Sequence, residues 1–333
     1  MKIIVLGGSG FIGSHVCEKL AAAGHSITVP TRRVSSAKHL QMLPRLNLLP
    51  CDVHSPAQLA SAVAGHDLLI NLVAVLHGSE QRFEQVHVEL PRKIAAACQA
   101  VGLQRVVHIS ALGAALDAPS AYQRSKARGE QVFAHSGLAV ALLRPSVVFG
   151  AGDKLLNVFA SLQRLAPVVP LAGADTQFQP VWVEDVAQAV VNLTTDAYYQ
   201  NNSWLCSISL GQKAKAPSKI AQKVAIWEAC GPDVLSLRDL FAIAGQCVGA
   251  RRTILPLPLP LAKAQAWVME HLPGEPLMSR DNLLSMQVPN IASGQQATLA
   301  DLGITPSSLR AIAPTYVGAA RTLDRYRKNA SLG

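Results

Sequence analysis

The sequence of 333 residues contains few aromatic and few charged side chains, 5% and 15% respectively, while half of it is apolar. A chain this apolar can bury a large core, which excludes general disorder. With so few aromatic rings, small aliphatic residues must fill that core, as they do in α/β layers. The formal net charge is +9, but no Arg-rich stripe is interleaved with aromatic residues, so we expect no nucleic-acid partner.

Metal-binding and membrane-spanning patterns are also missing. No Cys-x-x-Cys pair occurs, and no cysteine has a histidine nearby at metal-ligand spacing, so we expect reduced, mostly buried thiols and no metal site. No apolar run reaches the ~18–20 residues of a membrane span. Met1 and Lys2 run directly into the apolar segment Ile3–Leu6, so we expect no signal peptide. The predicted location is cytoplasmic, with any membrane contact peripheral and at the inner face. The six cysteines are Cys17, Cys51, Cys98, Cys206, Cys230 and Cys247.

Short apolar runs alternate with helical stretches over residues 1–150. Strands separated by crossover helices predict an α/β fold with a doubly wound parallel sheet. The predicted strands are Lys2–Leu6, Ser26–Pro30, Leu46–Pro50, Asp67–Val73, Arg105–Ser110 and Val140–Leu143. The predicted helices are Phe11–Ala23, Pro56–Ala64, Arg82–Val101 and Ala121–Ser136.

The pattern becomes irregular and proline-rich after Gly150, which predicts a smaller mixed lobe from residues 151–176 and 227–333, with 177–196 returning to the first sheet. The Pro-Leu alternation of Leu255–Leu261 cannot be an interior strand and is expected to expose Leu without pairing its backbone. Residues 197–226 form a basic insertion, which is either a solvated segment or a docking surface for an acidic partner or anionic lipid. The lysines of the insertion are Lys213, Lys215, Lys219 and Lys223, and helices are predicted at Val183–Thr195, Ser236–Val248 and Ala262–Leu272.

A glycine-rich turn follows the first predicted strand and opens the first predicted helix. Gly7 and Gly10 let backbone approach a pyrophosphate without obstruction, and Gly13 lets helix and strand pack closely. The residues at the helix start, Ser9, Phe11 and Ile12, present N–H donors at the positive end of the helix dipole. This strand–turn–helix context predicts a Rossmann-type site for NAD(P)(H).

The G-x-x-G-x-x-G spacing resembles the extended and atypical branches of the short-chain dehydrogenase/reductase superfamily, which include epimerase/dehydratase-like proteins. Ser110–Ala114, Tyr122–Lys126 and Trp227–Leu237 resemble an atypical group that includes the nucleotide-binding accessory subunit of respiratory complex I and its bacterial relatives. The resemblance implies cofactor contacts from Asp52 and Val53 at adenine, from Leu72, Val73 and Ala74 near ribose, and from Pro145, Ser146, Val147 and Val148 over the nicotinamide. It also implies catalysis by Ser110, Tyr122 and Lys126, of which Ser110 and Lys126 also touch the cofactor.

The spacing of Tyr122 and Lys126 supports this chemistry, because positions i and i+4 share one helix face. An ammonium beside a phenol is expected to lower the phenol pKa toward the working pH. Ser110 would polarise a substrate carbonyl or hold Tyr122. His87 stands where many extended members carry Asn, and it either lines the cofactor site or packs the helix.

The end of the second strand predicts which cofactor is preferred. NAD-specific sites place Asp or Glu there, to accept from the ribose 2′-hydroxyl. Here the position is Thr31, followed by Arg32 and Arg33, whose guanidinium groups suit a 2′-phosphate. We therefore predict NADP(H) in preference to NAD(H).

The leading functional prediction is an NADPH-linked oxidoreductase or isomerase acting on an apolar, quinone-like or isoprenoid-like substrate. Ala262, Ala266 and Met269 fall near one helix face with Trp267 beside them, which predicts either an apolar groove reached from a membrane surface or an ordinary lobe core. The alternative is a non-catalytic, NADPH-holding subunit or assembly factor of a respiratory complex. A nucleotide-sugar epimerase is disfavoured because no diphosphate clamp is evident.

Overall fold

A computed structural model describes residues 1–195, 224–271, 276 and 278–318. The chain forms an α/β fold around one parallel sheet of eight strands in the order β3-β2-β1-β4-β5-β6-β11-β14. The predicted doubly wound parallel sheet is therefore confirmed. The strands are β1 (Lys2–Leu6), β2 (Ser26–Thr31), β3 (Leu46–Pro50), β4 (Leu68–Asn71), β5 (Arg105–Ile109), β6 (Ala139–Pro145), β11 (Val224–Ala229) and β14 (Ala297–Thr298).

Helices cover both faces of this sheet because successive side chains of each strand point to opposite sides. Ile3 and Val5 of β1 pack on one face with α1 (Phe11–Ala22) and α7 (Val183–Asn192). Ile4 and Leu6 pack on the other face with α2 (Pro56–Val63), α4 (Leu90–Val101) and α5 (Ala121–Ala134). The strand order reverses between β1 and β4, which opens a crevice at their carboxyl ends, the usual ligand position in such sheets.

The segment after β4 differs from the single helix that was predicted over Arg82–Val101. It comprises α3 (Glu80–Glu84), a π-helical turn at Gln85–Glu89, and then α4. A π-helical turn widens the helix locally, and such turns are frequent at functional sites.

A second lobe packs around Phe149, Phe159 and Phe241. Its helices are α6 (Leu155–Leu165), α8 (Leu237–Cys247), α9 (Leu259–Glu270), α10 (Arg280–Ser285) and α11 (Leu309–Tyr316). Short strand pairs join β7 (Val148–Phe149) to β10 (Val181–Trp182), β9 (Gln177–Phe178) to β12 (Leu235–Ser236), and β8 (Val168–Ala172) to β13 (Thr253–Leu257). Two 3₁₀ helices span Val34–Met42 and Ala300–Leu302.

Three sequence-based assignments need correction. Residues 224–226 were assigned to the basic insertion and residues 227–229 to the lobe. Both assignments are wrong, because this run pairs with β6 and enters the main sheet as β11. Leu255–Leu257 is not unpaired, because β13 pairs with β8 in a two-stranded sheet that tolerates its proline at an edge. The insertion lysines, Lys213, Lys215, Lys219 and Lys223, lie outside the described residues.

The described cysteines and helices can be compared with the expectations of buried thiols and of no membrane-spanning segment. Cys17, Cys51, Cys98 and Cys230 are buried free thiols, and Cys247 is half-buried. Burial raises the pKa of Cys17, Cys98 and Cys230 to about 12, so these thiols stay protonated at neutral pH. Over the described ranges, no helix is long and apolar enough to cross a bilayer.

Candidate functional site

The turn between β1 and α1 brings three stretches of backbone into close contact. Gly7 adopts a left-handed conformation with φ of +81°, and its carbonyl accepts the Gly10 N–H at 3.0 Å. A Cβ atom on Gly13 would lie 2.2 Å from the Gly7 carbonyl oxygen, so no larger residue fits there. The turn is thus a backbone cradle.

The N-terminus of α1 opens onto this cradle. Gly10 caps the helix without a side-chain hydrogen bond, and its described first turn contains no acidic residue. The first N–H groups of a helix lack intrahelical acceptors and carry the positive end of the dipole. They are therefore available to an anionic group such as a pyrophosphate.

A cavity of about 610 Å³ lies in front of the cradle, at the carboxyl ends of β1, β2, β3 and β4. This volume falls within the roughly 300–1,000 Å³ typical of ligand sites. Among its described wall residues there are three arginines and no carboxylate. The wall is formed by Gly7, Ser9, Pro30, Thr31, Arg32, Arg33, Ser36, Cys51, Val53, His54, Val73, Ala74, Val75, Arg82 and Val86.

Cations concentrate at the β2 end of this cavity. The buried Thr31 hydroxyl donates to the Arg33 carbonyl at 3.1 Å and so shapes the turn that carries Arg32 and Arg33. Burial lowers the pKa of His54, and the charges of Lys93, Arg82 and Arg32 lower it further, against an opposing effect of Asp52. The electrostatics of this end favour an anion.

Lys126 reaches the end of β5, next to Ser110. The Lys126 ammonium donates to the Ile109 carbonyl at 2.9 Å, one residue before Ser110. Burial lowers the pKa of Lys126 to about 8, although Glu130 opposes the shift, so the amine is mostly protonated at neutral pH. The buried Ser110 Oγ has no hydrogen-bond partner among the described residues, which leaves it available to a ligand atom.

Tyr122 lies one helical turn before Lys126 on α5. Its ring contacts His87 and Phe83 edge-on, with centroid distances of 5.5 Å and 5.9 Å. Burial raises the pKa of Tyr122 to about 12, so the expected lowering of this pKa is wrong for the described chain. The reason is that desolvation dominates, while the Lys126 ammonium is directed to the Ile109 carbonyl.

His87 joins the cavity wall to the Tyr122 helix. Its Nε2 accepts the Val75 N–H at 3.1 Å, and its Nδ1 lies 2.8 Å from the Ser125 hydroxyl. Because Nε2 must be the acceptor, Nδ1 carries the proton of the neutral ring. Burial lowers the pKa of His87 to about 2, and the Lys126 and Arg82 charges add to the effect. His87 therefore packs between its own helix and α5 and does not line the cavity. It supports the cavity wall by accepting the backbone N–H of Val75.

The second lobe braces the same region. Asp281 of α10 accepts the Ala121 and Tyr122 N–H groups at 2.7 Å and 3.0 Å, and so caps α5 from outside. The Ser146 hydroxyl donates to Asn290 Oδ1 at 2.6 Å, which fixes the loop that follows β6. Both contacts connect residues that are expected near the nicotinamide to residues of the second lobe that lie much later in the sequence.

Comparison with known proteins decides the family. The model of the NAD dependent epimerase/dehydratase family matches residues 3–202. The chain belongs to this family. Among its relatives is the NADH dehydrogenase (ubiquinone) 1 alpha subcomplex subunit 9, mitochondrial, of Mus musculus, 30% identical over 92% of this chain and 76% of that protein. Another is the 2-alkyl-3-oxoalkanoate reductase of Stenotrophomonas maltophilia, 28% identical over 92% of this chain and 95% of that one.

Solved structures share the fold of this epimerase/dehydratase chain. One is DesIV, a dTDP-glucose 4,6-dehydratase from Streptomyces venezuelae with NAD and TYD bound. It superposes with a TM-score of 0.71 at 19% identity, and the alignment covers 97% of each chain. At 19% identity the similarity shows a shared fold and does not identify the substrate.

The sequence-predicted residues of this family member separate into two groups. One group lies on the cavity wall: Gly7, Ser9, Thr31, Arg32, Arg33, Val53, Val73 and Ala74. The other group is not on that wall: Gly10, Phe11, Ile12, Gly13, Asp52, Leu72, Ser110, Tyr122, Lys126, Pro145, Ser146, Val147 and Val148. Asp52 instead turns back to accept the His54 N–H at 3.1 Å.

Sequence reasoning missed four polar residues of the site. Arg82 reaches the cavity wall from the segment after β4, and His54 reaches it from the segment after β3. In the sequence, their basic character was the only signal for either residue. Asp281 and Asn290 act about 160 and 144 residues away from their partners, where no local pattern points to them.

Proposed function

We propose that the cavity binds NADP(H), with Arg32 and Arg33 around the adenosine 2′-phosphate. The observation that carries this proposal is that both residues lie on the wall at the end of β2, where an NAD-specific site would have a carboxylate. Guanidinium groups form charge-assisted, often bidentate hydrogen bonds with phosphate. The cradle and the α1 N-terminus would hold the pyrophosphate.

Titration of both reduced cofactors tests the preference. We expect NADPH to bind about tenfold or more tightly than NADH, because each charge-assisted hydrogen bond contributes about 1.5–3 kcal/mol. The Arg32→Ala/Arg33→Ala variant should bind both cofactors equally. Lys38→Ala, an exposed residue of the neighbouring 3₁₀ helix, is the matched control and should keep the preference. Equal affinities in the unaltered chain would refute the proposal.

We further propose that the chain reduces a carbonyl compound with an apolar substituent. When bound, the reduced cofactor supplies a hydride to the carbonyl carbon. The unpartnered Ser110 hydroxyl would hydrogen-bond the carbonyl oxygen, and the protonated Tyr122 phenol would donate its proton to that oxygen. To stabilise the phenolate that remains, the Lys126 ammonium would have to turn from the Ile109 carbonyl toward Tyr122. Support for an apolar substrate comes from the relative named 2-alkyl-3-oxoalkanoate reductase.

The roles of these side chains differ in a testable way. Tyr122→Phe should abolish NADPH oxidation by alkyl ketones and leave NADPH affinity within about twofold, since the phenol is required only for the proton. Lys126→Ala should weaken both activity and binding. A Tyr122→Phe variant with unchanged turnover would remove Tyr122 from the mechanism.

A second candidate is a cofactor-holding subunit or assembly factor of a respiratory complex. It is favoured by the direct bond from Lys126 to the Ile109 carbonyl. The similarity to the mitochondrial subunit adds support. This candidate predicts tight NADPH binding without ketone-dependent oxidation, and co-purification of the tagged chain with a respiratory complex from solubilised membranes.

A further inference from the structure

The second lobe exposes a cluster of large apolar side chains on the β8–β13 strand pair and on α9. Each is between 46% and 57% exposed, although each is of a type that usually fills cores. We name this cluster the lobe patch, and it comprises Val168, Leu255, Leu259, Leu261, Trp267 and Val268.

The packing of these elements directs the side chains outward. In α9, Ala262 and Ala266 are buried against α10 and β8, so Leu261, Trp267 and Val268 lie on the other side of the helix. In the β8–β13 pair, Val168 lies opposite Thr253 and Leu255 lies opposite Pro170, and all four are exposed. The lobe patch therefore comprises exposed apolar side chains on neighbouring elements of the folded lobe.

The charges around the lobe patch are mostly positive. Residues 154–174 and 240–269 contain no Asp or Glu, and Glu270 at the end of α9 forms an ion pair with Arg280. The two segments contain Lys154, Arg164, Arg251, Arg252 and Lys263, all of which are exposed except the half-buried Arg164. An apolar centre with a cationic rim and an exposed Trp is the composition of a surface that rests in the headgroup region of an anionic bilayer.

We propose that the lobe patch docks the protein on the surface of a membrane containing anionic lipid. The inserted groups are Leu261, Trp267 and Val268, while Arg251 and Lys263 contact phosphate headgroups. A protein partner would be expected to supply acidic residues together with a matching apolar face, whereas a bilayer offers both chemistries over any contact area. The inference is independent of the proposed cofactor and reaction.

Vesicle co-sedimentation of the full chain tests this surface. The probes are vesicles of phosphatidylcholine alone and of phosphatidylcholine mixed with phosphatidylglycerol, in low-salt and high-salt buffer. We expect binding to the mixed vesicles at low salt and weak binding to the others. Leu261→Ser/Trp267→Ser should lower the partition coefficient about tenfold or more, since two apolar side chains no longer enter the bilayer.

Matched variants separate lipid contact from misfolding and from binding elsewhere. Met42→Ser/Leu116→Ser removes two apolar side chains that are 89% and 48% exposed outside the lobe patch, and it should bind vesicles normally. Arg251→Ala/Lys263→Ala should weaken binding and flatten its salt dependence. NADPH titration of every variant checks that the cofactor site is intact.

Trp267 also reports insertion directly. Brominated lipid should quench the tryptophan fluorescence of the unaltered chain, and Trp267→Phe should remove most of that quenching. The proposal is overturned if the chain ignores anionic vesicles, or if the lobe-patch variant binds them as well as the Met42→Ser/Leu116→Ser control. A lobe-patch variant that changes only the oligomeric state would assign this surface to a second copy and would likewise overturn it.

Discussion

Acidification is expected to destabilise the protein because His87 and His108 are buried as neutral imidazoles. His87 is 2% exposed, and its pKa is lowered to about 2, first by burial and then by the charges of Lys126 and Arg82. The His108 pKa is also lowered well below its ordinary value, first by burial and then by Lys126 and His87. In the unfolded chain both rings regain an ordinary pKa near 6.5.

The sign and size of the effect follow from proton linkage. Below the unfolded pKa, the unfolded chain binds a proton that each folded imidazole does not, so stability is full above that pKa and falls as the pH falls. Each ring costs about 1.4 kcal/mol per pH unit in this window, which gives about 2 kcal/mol at about pH 5. His108 should add to this loss in the same direction.

Urea unfolding followed by far-ultraviolet circular dichroism at about pH 5 and at about pH 7.5 measures the loss. In His87→Gln, the amide oxygen can replace Nε2 as acceptor for the Val75 N–H, and the titrating ring is gone. We expect the loss between the two pH values to shrink by about 2 kcal/mol in this variant. Carboxylates titrate in both proteins, so the difference between the two losses isolates His87. An unchanged loss would refute the neutral, buried assignment of His87.

Three other substitutions give sharp outcomes. Gly13→Ala should weaken NADPH binding more than tenfold in a fluorescence titration, because its Cβ would lie 2.2 Å from the Gly7 carbonyl oxygen. Normal affinity would show that the cradle is not part of the site. Asp281→Ala should destabilise the fold by about 1–2 kcal/mol in urea unfolding through loss of the α5 cap, and an unchanged midpoint would contradict this. Tyr316→Phe should lower the melting temperature, because its hydroxyl donates to Asp153 at 2.5 Å, and no change would mean that this bond adds nothing.

Local patterns predicted the first half of the fold well, because turn-forming residues mark the ends of its elements. Lys2–Leu6 and Leu46–Pro50 form strands with the predicted bounds, and the glycine turn lies between β1 and α1 as its spacing indicated. Apolar runs bounded by Gly and Pro determine such elements with little help from the rest of the chain.

The π-helical turn at Gln85–Glu89 could not be predicted in this way. One added residue in a helical turn barely disturbs apolar periodicity, so the segment looks like one long helix. The cause lies in tertiary packing, since a Cβ on Gly129 of α5 would lie 2.1 Å from the His87 carbonyl oxygen. Two helices approach this closely only where glycine allows it.

Contacts between distant segments explain the rest of what the sequence did not indicate. Asn290 reaches Ser146, and Asp281 reaches the N-terminus of α5, only after the second lobe folds back on the sheet. β11 was divided between the basic insertion and the lobe because its parallel partner β6 precedes it by about eighty residues. Likewise the direction of the Tyr122 pKa depended on burial, which a spacing of i and i+4 does not report.

A crystal structure of the chain purified without added cofactor tests the central claim most directly. The account predicts density for a dinucleotide with its pyrophosphate at the N-terminus of α1 and a phosphate on the adenosine 2′-oxygen beside Arg32 and Arg33. A dinucleotide with a bare 2′-hydroxyl in that cavity, or a chain that accepts neither cofactor even on soaking, would contradict it.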